Sequence, residues 1–110
     1  MNRRQSLALL AVAALVSGAR AQTTPNFNIV VPVPPGGSVD LTARLLGEHL
    51  PKMLKQSVVI ENKPGASGSI AASGVARQAG DENTLMLVFD SHVTNPLVYP
   101  NLGYSLKDFT

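Results

Sequence analysis

The segment VVPVPPGGSVDLTARLL, residues 30–46, passes from a β-branched run through prolines and two glycines directly into a helical pattern. Its turn, Pro34, Pro35, Gly36 and Gly37, has almost no side-chain chemistry to offer. Ligand contact at this turn must therefore come from backbone groups, or from Ser38 and Asp40 just beyond it. The first turn of a helix presents unpaired N–H groups and the positive end of the macrodipole. Glycines at 36 and 37 let a ligand come close to that backbone, and the Ser38 hydroxyl adds a group that donates or accepts. Such a place suits a carboxylate or another small anion. A plain turn in which Gly37 or Ser38 caps the helix fits the same residues.

Outward from this segment the chain alternates in period. NIVVPV (28–33), SVVIEN (57–62) and TLMLVF (84–89) are short, nearly continuous apolar runs, as expected of strands buried on both faces of a parallel sheet. Between the first two, Val39, Ala43, Leu46, Leu50 and Met53 recur at steps of three and four, which predicts a helix with one apolar stripe and with Arg44, Glu48 and Lys52 opposite. Pro51 predicts a kink or break near Leu50. A second helix is expected over about 66–79, with Ile70, Ala71 and Val75 as its stripe and Gly74 allowing close approach to the sheet. The fold class is therefore α/β, a βαβαβ unit with parallel strands and right-handed crossovers. In such sheets ligands bind beyond the carboxyl ends of the strands, where the loop at 34–37 must lie.

The N-terminus has a different character. Arg3 and Arg4 precede ten apolar residues, Leu7 to Val16, and then the small-residue cleavage pattern Ala19-Arg20-Ala21. This predicts a signal peptide over 1–21, cut before Gln22, and a periplasmic protein. A run of ten is far short of the ~20 residues that span a bilayer. The arginine pair is also compatible with twin-arginine export. Three of the nine Lys and Arg fall in this segment, leaving six against seven acids, or −1, beyond it. That balance gives no basis for a nucleic-acid partner. Phe27, Phe89, Tyr99, Tyr104 and Phe109 are not interleaved with basic residues either.

The chain has no cysteine, and its two histidines, His49 and His92, lie in no zinc-ligand spacing, so no metal or cofactor is expected. The glycine turns meet neither the P-loop nor the GxGxxG fingerprint. A serine hydrolase would require Ser38 with Asp40, or Ser91 with His92, to share a proton. Neighbours on an extended segment point apart, and no GxSxG elbow is present. A second glycine turn, NKPGASGS (62–69), again joins a strand to a helix on the same edge of the sheet.

Taken together, VPVPPGGSVDLTARLL, VVIENKPGASGSIAASGVAR, DENTLMLV and HVTNPLVYPNLGYSLKDF resemble, in order and spacing, the N-terminal part of the Bug-type (TctC-like) periplasmic solute-binding receptors of the tripartite tricarboxylate transporter family. The resemblance implies a two-domain flytrap fold closing on a small carboxylated solute, which is then passed to membrane transporter subunits. It also implies no catalysis. It implies ligand contacts at Val33, Pro34, Pro35, Gly36, Gly37, Ser38 and Asp40; at Pro64, Gly65, Ala66, Ser67 and Gly68; and at Ser91, His92, Thr94 and Asn95. By its position after a strand at the ligand edge, His92 is a candidate to bond a solute carboxylate, its charge tuning affinity near pH 6.5; a satisfied loop histidine fits the same position.

Three positions depart from the family pattern: Val33 replaces an aromatic, Lys55 replaces the glycine ending the first helix, and Asp81-Glu82-Asn83 replaces an Asp-Gly turn in which Asn83 is expected to take the left-handed conformation. Residues 22–110 would then be an incomplete first domain without its opposing jaw. The alternatives are a truncated, non-functional receptor remnant and, less favoured, an enzyme acting on a small anion.

Overall fold

The computed structural model describes residues 23–109; the expected signal peptide and its cleavage site lie outside them. Three parallel strands, β1 (Phe27–Val31), β2 (Val58–Asn62) and β3 (Thr84–Met86), lie side by side in the order β2-β1-β3. The first strand in sequence is thus the central one. Its pairing sets Ile29 beside Ile60 and Leu85, and Val31 beside Asn62. β1 stops where Pro32 removes a ladder donor, and the Val31 carbonyl then accepts the Lys63 N–H at 2.8 Å. The expected first and third strands are therefore shorter than their apolar runs, and Val33, Val88 and Phe89 belong to the loops at the sheet's carboxyl edge.

Helix α1 (Ser38–Leu54) packs on one face of the sheet. Ala43 is buried with Ile29 and Val31, and Val39, Leu46, Leu50, Val58, Ile60 and Leu87 close around them. Met53, expected in the stripe, is 78% exposed. Pro51 does not break the helix as expected. It withholds one hydrogen bond, but the last turn is held by the Lys55 N–H on the Pro51 carbonyl (2.9 Å) and by Leu46 and Leu50 on the core. The helix ends at Lys55 in the left-handed conformation (φ +53°), which costs a non-glycine residue about 1 kcal/mol.

The short 3-10 turn Ala66–Gly68 leads into α2 (Ser69–Ala76), which contributes Ala71, Ala72 and Ser73 to the interior while Ile70 turns outward. The expected stripe is thus rotated. Gly74 is not the point of close approach either, since a Cβ there would meet nothing within 4 Å. That role falls to Gly47 on α1, where a Cβ would stand 3.3 Å from Ile60 Cδ1. In the turn before β3, Gly80, not Asn83, takes the left-handed conformation (φ +88°). Asp81 holds that turn by accepting from the Asn83 N–H (2.9 Å) and the Thr84 hydroxyl (2.7 Å).

A third helix, α3 (Ser91–Val98), follows β3 where the sequence pattern predicts extended chain. It contains Pro96, whose missing N–H would have met the His92 carbonyl one turn earlier. The Tyr104 hydroxyl donates to that freed carbonyl at 3.0 Å. Among the described residues no helix is long and apolar enough to cross a membrane.

Candidate functional site

Because the strands are parallel, the loops after β1, β2 and β3 all meet at one edge of the sheet. The first of these loops carries residues 33–37. Gly36 has φ +97°, a conformation that side chains of L-residues resist, whereas Gly37 has φ −74° in an extended N-cap conformation open to any residue. Positive φ is therefore required at 36 only. The Gly37 carbonyl accepts the Leu41 N–H, and the N–H groups of Ser38, Val39 and Asp40 have no acceptor among the described residues. Val33, Gly37, Ser38, Val39 and Phe89 line an open cleft over this helix end. Pro34 and Pro35 are exposed and do not line it.

Asp40 lies beneath the loop, 1% exposed, not at the cleft surface. One carboxylate oxygen accepts from the Gly36 N–H (2.8 Å) and Arg44 Nε (2.9 Å), and the other accepts from Asn62 Nδ2 (2.8 Å). These bonds, Arg44 first, then Asn62 and Gly36, lower its pKa from 3.8 to about 2. The Gly36 N–H is consequently committed to Asp40 and is withdrawn from any ligand.

A pH dependence follows. A carboxyl whose folded-state pKa is depressed contributes stability that is complete above its unfolded value and disappears as pH falls through the folded one. Stability should therefore decline between about pH 4 and pH 2, with unfolding taking up close to one proton through Asp40 near pH 3. Asp40→Asn should lack this part of the profile, which urea unfolding across that pH range measures.

The second loop is tightly wound. Gly65, Ala66, Ser67 and Gly68 all have positive φ, including two non-glycine residues. Pro64, Gly65, Ala66 and Ser67 are exposed; Gly68 is buried against Pro32, so the two loops touch. The Ser67 carbonyl accepts from Asn95 Nδ2 (2.9 Å) and, at 3.4 Å, from the Ser91 hydroxyl. Ser91 and Asn95, four apart on α3, thus hold the second loop, and Asn95 is buried in doing so.

Thr94 is exposed, and its hydroxyl donates to the Asp90 carbonyl. The His92 ring turns elsewhere, stacked on Tyr104 (centroids 5.0 Å apart) with Phe109 edge-on at 4.8 Å. Burial there lowers its pKa below the ordinary histidine value. Ser91 and His92 are consecutive helical residues, not extended ones, and they share no hydrogen bond. Phe89 and, beside Ala66 and Ser67, Tyr99, Asn101 and Leu102 line clefts at this edge without having been picked out from sequence. The apolar run ending at Phe89 marked it as core. Among the described residues no group of acidic or histidine side chains could hold a metal ion.

The sequence model of the TctC family, described as the tripartite tricarboxylate transporter family receptor, matches residues 42–110. The chain belongs to this receptor family. The family is one of receptors, not of enzymes. A UPF0065 protein of Bordetella bronchiseptica is 42% identical over 110 residues, 97% of this chain and 33% of its own length. Protein BugT of Bordetella pertussis is 39% identical over 93 residues, 79% of this chain and 28% of its own. The chain thus spans about a third of the length of these curated relatives.

Two solved structures carry the same fold. Rpa4515 of Rhodopseudomonas palustris with adipate superposes with a TM-score of 0.69 at 41% identity, over 76% of this chain and 28% of that one. MatC of the same organism with bound malate has a TM-score of 0.53 at 43% identity, over 56% of this chain and 21% of that one. The parallel α/β architecture is that of the TctC receptors.

Proposed function

We propose that this TctC-family chain forms the solute-contacting start of the first domain of a periplasmic receptor. It captures a small carboxylated solute and delivers it to the membrane subunits of a tripartite tricarboxylate transporter. One observation carries the reading. The N–H groups at the start of α1 stand unpaired beside a cleft lined by neutral residues and an apolar wall of Val33, Val39 and Phe89. A carboxylate satisfies such donors and the helix dipole, and the hydrocarbon part of the solute packs on the wall. Malate in MatC and adipate in Rpa4515 are solutes of this chemistry, which supports the reading. Residues 1–21 act as the export signal.

Titration calorimetry of the purified protein against mono-, di- and tricarboxylates and matched uncharged amides tests the proposal. Heat is expected with carboxylates and none with the amides. A folded protein that binds no carboxylate overturns it.

A further inference from the structure

We infer that Asn62, at the carboxyl end of β2, is the positioning residue that sets the shape of the ligand loop. Its side-chain amide donates to the Val33 carbonyl (3.0 Å) and to the buried Asp40 carboxylate (2.8 Å). Asp40 in turn holds the Gly36 N–H, so this one amide grips the loop on both sides of the two prolines, directly before them and through Asp40 after them. The chemistry demands an amide. A carbonyl oxygen and a carboxylate are both acceptors, so the group between them must supply two N–H donors from one planar centre, as only the NH2 of asparagine does at this reach. The same logic fixes which way the amide points, with its oxygen toward Arg44 Nη2 at 3.5 Å.

The parallel register brings Asn62 beside Val31, two residues before Val33, so the end of one strand braces the loop that leaves the next. Arg44 completes the arrangement by pairing with Asp40, leaving the negative charge under the loop balanced where a solute carboxylate has to be accepted. The inference deepens the receptor reading and rests on it for the meaning of the loop, but the brace itself is testable without a ligand.

The test uses amide exchange and carboxylate titration on the isotope-labelled protein. Asn62→Asp keeps the size and shape but loses both donors and sets a second carboxylate against Asp40; Asn62→Leu loses the donors without adding charge. In both, the Gly36 amide should exchange about tenfold faster or more, as befits loss of support for a charge-assisted bond, while the Ile29 and Val31 amides keep their protection. In Asn62→Asp, lowering the pH should return part of the Gly36 protection, because a protonated carboxyl regains one donor; Asn62→Leu should show no return. Malate and adipate should bind each variant about tenfold more weakly or worse than the parent.

Unchanged Gly36 exchange overturns the inference, as does equal loss of protection at Gly36, Ile29 and Val31, which is what a merely stabilising residue would produce. If either variant fails to fold, the parent decides. Slowly exchanging, separately resolved Asn62 side-chain protons support the brace, and freely exchanging ones overturn it. A parent that binds neither dicarboxylate removes the receptor reading and leaves the exchange result to judge the brace.

Discussion

Gly36→Val is expected to weaken carboxylate binding about a hundredfold while the sheet stays folded. Space is not the obstacle, because a Cβ at this position would meet nothing within 4 Å. Backbone conformation is. At φ +97° a β-branched residue is strained by about 1–3 kcal/mol, and the loop escapes by rotating residue 36 to negative φ. That rotation swings the Gly36 N–H off the Asp40 carboxylate, now 2.8 Å away, and shifts the chain entering α1, where the N–H groups proposed to meet the solute lie. The upper end of the strain converts to the hundredfold loss, since each 1.4 kcal/mol is a factor of ten.

Gly37→Ala is the control. At φ −74° any residue fits, and its Cβ would make only ordinary contacts with Val33 Cγ2 (3.7 Å) and the Pro34 carbonyl (3.8 Å). It should bind within a few-fold of the parent. Calorimetry on both variants reads the difference, and parent-like affinity in Gly36→Val would reduce the loop to a turn.

Ile29→Ala should destabilise the fold by about 2–5 kcal/mol, the range for emptying a buried aliphatic site. Ile29 is fully buried at the centre of β1, paired with Ile60 and Leu85 on either side and packed on Ala43 of α1. With both neighbouring strands hydrogen-bonded to β1, the site has little freedom to collapse around the missing atoms. Against a total of about 5–15 kcal/mol for a small domain, this is a large fraction. Leu97, 87% exposed on α3, provides the contrast, and its replacement by alanine should stay within about 0.5 kcal/mol. Urea midpoints for the two variants check the pair; equal shifts would show that the core is not centred on β1.

The parallel three-stranded α/β unit, the long first helix and the placing of glycine loops at the carboxyl edge were legible in the sequence. Each rests on local pattern: nearly continuous apolar runs for the strands, steps of three and four for α1, and turn residues between them. Burial on both faces, expected for all three strands, holds only for the central β1, since the edge strands leave Val59 and Leu85 exposed. The family was legible for the same reason, since its motifs are short and ordered along the chain. Helix α3 was not, because Pro96 argues against a helix locally and the hydroxyl that makes good the loss comes from Tyr104, twelve residues past His92.

The role of Asp40 was hidden in the same way. From sequence it is an acid in the first turn of a helix, near enough to a ligand loop to be counted in the site. Only the pairing of β1 with β2 brings Asn62, 22 residues on, within reach of its carboxylate and turns an apparent ligand group into the buried anchor of the loop. The His92 ring is taken up by Tyr104 and Phe109 through packing of the same long-range kind. Periodicity is set by near neighbours and is written along the chain, whereas a buried polar group takes whichever partner the register delivers, and register is decided only when the strands meet.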